Sequence, residues 1–159
     1  NVFIKGESSM LAAATTLSNN ILLRARREDI DVTPMKLQKL LYYVCVKYLQ
    51  ETGMSPISER FEVWKYGPVL PSVYAEFKPF GAKKINGFSL NAKGKAVVVG
   101  EDRAPILQKC IDYVWNKLKR YSAIELSERT HQRGSGWYSA FQEDRTTITE
   151  EDMKHDTTL

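Results

Sequence analysis

Histidine, cysteine and carboxylate side chains are the groups through which a chain of this size would do bond chemistry, and here they are few and scattered. His131 and His155 are the two histidines, and no His-x-x-x-His or Cys-x-x-Cys spacing exists. A zinc centre needs three or four ligands converging on one point, so neither a structural nor a catalytic metal is expected. Cys45 and Cys110 fall on or beside the apolar faces of two helical stretches. There they read as reduced, buried and inert thiols, not as a disulfide or as nucleophiles served by His131. Glu59, Glu62 and Asp112 show no pairing that would make a carboxylate dyad. Lys93-Gly94-Lys95 imitates the end of a phosphate loop. However, six residues instead of four separate Gly94 from Gly87, and Ala96 stands where the magnesium-binding hydroxyl belongs. A hairpin turn accounts for it, and no enzymatic role and no cofactor are expected.

What the chain has in quantity is aromatic surface: three Trp, eight Tyr and six Phe. Thr130-His131-Gln132 is followed by Gly134-Ser135-Gly136-Trp137, which sets a histidine at a helix end and a tryptophan beyond a Gly-Ser-Gly turn. Placed so, His131 can bond the last carbonyls of its helix and Trp137 can cover the core edge; the alternative is that both line a recognition surface beside Trp64 and Tyr66. Tyr42 and Tyr43 adjoin on one helix and project about 100° apart. With Leu40, Leu41 and Val44 facing inward, at least one of these tyrosines is expected at the domain edge.

The elements that must position these groups are legible from periodicity. Leu11 to Arg27 has helical spacing through Ala14, Leu17 and Ile21, with Arg24, Arg26 and Arg27 toward its C-terminal end, where cations complement the macrodipole. Thr33-Pro34 reads as an N-cap and first helical residue. The helix they open carries Leu37, Leu40, Leu41, Val44 and Tyr48 on one stripe and is stopped by Gly53. Phe61 to Tyr66 predicts a short strand broken by Gly67-Pro68, and Pro71 opens a short helix through Phe77. Asn86 to Leu90 and Lys95 to Val99 predict an antiparallel hairpin around Asn91-Ala92-Lys93-Gly94. Arg103 to Lys119 repeats the first core stripe with Leu107, Cys110, Ile111, Val114 and Leu118, so the two long helices are expected to pack together. Ser122-x-x-Glu125 and Thr149-x-x-Asp152 mark two further helix starts. The fold class is therefore mainly α, formally α+β: a compact single-domain helical fold with a small antiparallel β-hairpin.

At 159 residues the chain is long enough to bury a core. It has no apolar run of about eighteen residues, so no membrane span is expected. Residues 1–10 lie outside any periodic pattern and read as an N-terminal extension, native or left by cloning, ahead of a domain over 11–155. The lack of a secretory leader and the reduced thiols point to the cytoplasm. The formal charge is +4, with 23 basic and 19 acidic residues mixed along the chain. Its densest basic cluster is closed at once by Glu28 and Asp29 and reads as a solvated face, so the charge admits a nucleic-acid partner without requiring one.

Leu37-Gln38-Lys39-Leu40-Leu41-Tyr42-Tyr43, then Trp64-Lys65-Tyr66-Gly67-Pro68-Val69 with Pro71, Val73 and Tyr74, resembles the Panacea antitoxin-domain family, which includes SocA-like and GepA-like phage-associated proteins. Ser122-Ala123-x-Glu125-Leu126-Ser127 and Thr130-His131 with Trp137 look like its C-terminal signature, and the likeness runs from about Leu11 to Lys154. The resemblance implies a compact, mainly helical bacterial domain without catalytic activity, encoded beside a protein toxin that it neutralises by direct binding. The alternatives are a proteolytic adaptor that delivers the toxin to a protease and a nucleic-acid-binding regulatory protein. No helix-turn-helix with a basic recognition helix is present, so nucleic acid is not the expected partner of this chain alone. The expected mechanism is steric masking of the toxin, with the docking surface formed by Lys39, Tyr43, Trp64, Tyr66, Gly67, Pro68, Val69, His131 and Trp137; the equal alternative is that this motif is the fold's scaffold and the partner contacts lie on other, more variable faces. Lys39 and Lys65 would supply charge complementarity. Homo-oligomerisation is left open.

Overall fold

A computed structural model describes residues 11–159; the extension over residues 1–10 lies outside the described residues. Helix α1, Ala14–Glu28, begins three residues later than periodicity suggests. Ala12 is drawn off to pair with the Pro56–Ile57 backbone, and the first helical N–H, on Ala14, donates to Glu59 Oε2 at 2.9 Å. Helix α2, Pro34–Thr52, starts and stops as expected, with Thr33 accepting from the Lys36 N–H and Gly53 left-handed at φ 79°. Thirteen of its nineteen residues are buried, on every side of the helix. A helix apolar all round belongs at the centre of a domain, and α2 accordingly touches most of the elements that follow.

Strands β1, Glu62–Trp64, and β2, Gly67–Val69, form a two-stranded antiparallel hairpin with Trp64 opposite Gly67 and Glu62 opposite Val69. Helix α3, Pro71–Phe77, runs into a 3-10 turn over Lys78–Phe80. Helix α4, Pro105–Leu118, presents its stripe of Leu107, Cys110, Ile111, Val114 and Leu118 to α2, as the shared spacing predicts. Helices α5, Ala123–Thr130, and α7, Glu150–Lys154, both open on complete capping boxes. Between them lies α6, Gly136–Gln142, capped by Ser135. The mainly helical class with one small antiparallel hairpin is confirmed. No helix among the described residues is long and apolar enough to cross a membrane.

The hairpin is not where its sequence signal is strongest. Over 86–99 the ladder reduces to one bridge, Leu90 to Ala96. The side chains of α1 take the place of a partner strand. Asn19 accepts from the Ser89 N–H and donates to the Ser89 and Val97 carbonyls, while Asn20 brackets Val99 in the same way. Buried amides thereby saturate a segment that would otherwise need a second strand. Arg24 is also reassigned: it is only 13% exposed and forks onto Glu101 and Asp112 at 2.6 and 2.8 Å, so it tethers α1 to α4 instead of facing solvent.

Residues beyond 155 continue to pack. Asp156 and Thr158 are buried over α2, and they cover both Tyr42 and Tyr43, of which at least one is expected at the domain edge from the sequence. Tyr42 donates to Asp156 Oδ2 at 2.6 Å, and Tyr43 meets Thr158 Oγ1 at 2.7 Å. Neither tyrosine is exposed. Burial raises both phenols, with the Asp156 carboxylate adding to the shift at Tyr42.

Candidate functional site

Lys65 and Tyr66 form the tip of the β1–β2 hairpin, and almost every carbonyl around them is held by a side chain from another element. Trp137 Nε1 donates to Trp64 O at 2.9 Å, His131 Nε2 lies 2.8 Å from Lys65 O, and Ser127 Oγ donates to Tyr66 O at 2.7 Å. From α2, Lys39 Nζ donates to Pro68 O at 3.1 Å, and Gln38 makes a two-way amide pair with Leu70. His131 Nδ1 also faces a carbonyl, Ser127 O at 2.6 Å. A neutral imidazole donates to one such oxygen, a protonated one to both.

The outer edge of β1 is covered too, through Val63 N–H to Thr146 O and Ile148 N–H to Phe61 O. With both edges occupied, the hairpin offers no place for an added strand. Gly67 explains how the turn fits: its φ is 117°, and a Cβ there would lie 2.6 Å from Thr130 Oγ1 and 2.9 Å from Lys39 Cε. Thr130 is buried and its hydroxyl is committed to Ser127 O, so it cannot give way. Gly67→Ala should therefore destabilise the protein by about 3 kcal/mol, read as a lower urea midpoint at unchanged slope.

Tyr66 stands 55% exposed on this frame. To one side of it is a cleft of about 540 Å³ walled by Met35, Trp64, Val69 and Tyr74, with Lys65 and Lys78 at its rim. To the other side is a shallower concavity that Tyr66 and Met35 share with Ile124, Glu128 and His131. Trp64 and Tyr74 rings lie 4.9 Å apart, and His131, Trp137 and Phe141 form a second row at 4.1 and 4.9 Å. Beneath the cleft, Lys39 is 1% exposed and its Nζ has Pro68 O as its hydrogen-bond partner. Burial lowers its pKa to about 7.

A family model described as antitoxin SocA-like, Panacea domain, matches residues 37–138. The antitoxin SocA of Caulobacter vibrioides (strain NA1000 / CB15N) is 32% identical over 127 residues, which span 78% of this chain and 68% of SocA.

The chain belongs to the SocA-like Panacea family.

No solved structure matches it. The two signature segments of this Panacea domain, at Leu37–Tyr43 and Trp64–Val69, turn out to be one unit, because Gln38 and Lys39 bond the backbone of the second segment directly. Of the nine residues expected at a docking surface, the structure groups eight around the hairpin and separates one. Trp64, Tyr66 and His131 reach solvent there; Lys39, Gly67, Pro68, Val69 and Trp137 are buried as its support. Tyr43 is covered by the C-terminal tail. Met35, Lys78 and Ile124 carry no signal in their local sequence and join the surface only through tertiary packing.

The remaining candidates for bond chemistry stay apart. Cys45 and Cys110 are both buried and form no disulfide, and burial pushes the Cys45 thiol up. Both nitrogens of His131 are engaged by carbonyls. Among the described residues no group of histidine, cysteine and carboxylate side chains could hold a metal ion.

Proposed function

We propose that this Panacea domain is an antitoxin that neutralises a cognate protein toxin by binding it directly, without catalysis. The observation that carries this reading is the pinned hairpin tip. Tyr66 is a large amphipathic side chain held out by a backbone whose carbonyls are bonded to three side chains from α5, its C-cap and α6. Such an anchor loses little conformational freedom on docking, which is what concentrates binding energy at aromatic hot spots. The concavities on either side of it supply the apolar area for a partner to bury, and Trp64, Val69, His131 and Trp137 shape or support them. Masking of the toxin's working surface follows from the domain's bulk.

Co-expression with the product of the adjacent reading frame tests the proposal. Growth should be rescued and a stable complex should co-purify; a neighbour that is harmless alone removes the basis for an antitoxin. Tyr66→Ala should weaken the complex by at least about 2 kcal/mol, roughly 30-fold in Kd by calorimetry, while the thermal melt of the free protein stays unchanged. Loss of the fold in Tyr66→Ala would assign the tip a purely structural role.

A further inference from the structure

The cleft beside Tyr66 has a chemistry of its own. Its walls are apolar and aromatic, three lysines line it, and none of its lining residues is a carboxylate. Lys65 and Lys78 are exposed and make no ion pair among the described residues. Each ammonium instead lies near the ring beside it, Lys65 Nζ 5.4 Å from the centre of Tyr66 and Lys78 Nζ 5.8 Å from that of Tyr74. Lys39 adds a third nitrogen below the floor, with Pro68 O as its hydrogen-bond partner. By contrast Arg24, Lys119 and Arg145 are all spent on carboxylates of this chain. Positive charge gathered around an apolar hollow and left without internal partners is complementary to one kind of occupant.

We propose that this cleft receives a segment of the toxin that carries one large apolar or aromatic side chain flanked by carboxylates. The proposal rests on the antitoxin reading and gives its binding surface a specific chemistry. The apolar side chain packs against Trp64, Val69 and Tyr74, and the flanking carboxylates meet Lys65 and Lys78 at the rim. A volume of about 540 Å³ is the size of a pocket for one such anchor and its immediate neighbours. A nucleic-acid backbone would ask for cations spaced along a track, and the two exposed ammonium groups, of Lys65 and Lys78, face one hollow.

The test uses the full chain and the purified product of the adjacent reading frame. Lys65→Glu/Lys78→Glu is compared with Lys93→Glu/Lys95→Glu, which makes the same change in net charge on an exposed turn outside the cleft. The cleft pair should lower affinity at least roughly 30-fold and the control pair less than about 3-fold, with both variants melting like the parent. Zero-length carbodiimide coupling should join Lys65 or Lys78 to Asp or Glu of the toxin, next to a large apolar residue. Exchanging those toxin carboxylates for lysine should restore binding to the Lys65→Glu/Lys78→Glu protein. Equal affinities of the two double variants would overturn the cleft assignment and leave the antitoxin reading standing. So would cross-links that run only from this chain's carboxylates to toxin lysines. A toxin that fails to bind the unaltered protein overturns both.

Discussion

Asp156→Ala is expected to cost about 3–5 kcal/mol, a large share of the stability of a domain this size. One buried carboxyl group accepts four hydrogen bonds: Tyr42 Oη and the Gly136 N–H on Oδ2, and the Thr158 N–H and Oγ1 on Oδ1. Removing it strands donors that have no route to water, and an unmet buried donor costs more than a made bond contributes. The damage spreads because Thr158 also receives Tyr43, so the whole cover over α2 loosens together. Tyr42 in turn accepts from the Gly136 N–H at 3.0 Å, where α6 begins. Urea unfolding should show the loss as a lower midpoint, and Asp156→Asn, which keeps the shape, should lose less. An Asp156→Ala protein as stable as the parent would mean that the tail is not part of the cooperative unit.

Lys39→Met should stabilise the protein near neutral pH, by an amount that shrinks as pH rises. Burial alone lowers the Lys39 pKa from 10.5 to about 7 in the folded chain. Below pH 7 both folded and unfolded chains carry the proton, and the cost of burying the charge is constant. Between pH 7 and about 10.5 the unfolded chain holds a proton that the folded chain has released, so the parent gains stability with rising pH at roughly 1.4 kcal/mol per unit. The methionine variant lacks this slope. The stability difference should therefore close by about 3 kcal/mol between pH 7 and 9.5. At the alkaline end the parent gains the advantage, because Pro68 O in the variant has lost its donor. Cys45, Tyr42 and Tyr43 shift the other way: their raised folded pKa values withdraw stability as pH climbs past their unfolded values. They are common to both proteins and cancel in the difference. A difference independent of pH would show that Lys39 is solvated in solution.

The helical frame was readable because its signals are local. Thr33-Pro34 and Gly53 bound α2 through backbone chemistry that needs no distant partner, and the capping boxes at Ser122 and Thr149 work the same way. The hairpin was misplaced for the opposite reason. Asn91-Gly94 is good turn chemistry, yet its flanks are held by Asn19 and Asn20, some seventy residues away. At Trp64–Gly67 the local pattern is poor, and the pairing is enforced by His131, Ser127 and Trp137. Helix α6 was hidden behind Gly134-Ser135-Gly136, which looks like a flexible tract. A Cβ on Gly136 would lie 2.6 Å from Tyr42 Oη, so this glycine marks a close approach. The residues expected at a docking surface divide along the same line. Tyr66, at the break before Gly67-Pro68, is exposed without need of any distant residue, whereas the burial of Tyr43 depends on a tail that carries no periodicity of its own.

The hairpin tip is gripped by its main-chain oxygens, and the side chains of Lys65 and Tyr66 contribute nothing to that grip. Their identities are therefore decoupled from folding. Either side chain can be exchanged while the frame that displays them stays intact, so a substitution at Lys65 or Tyr66 reads out the chemistry of the surface and not the stability of the fold.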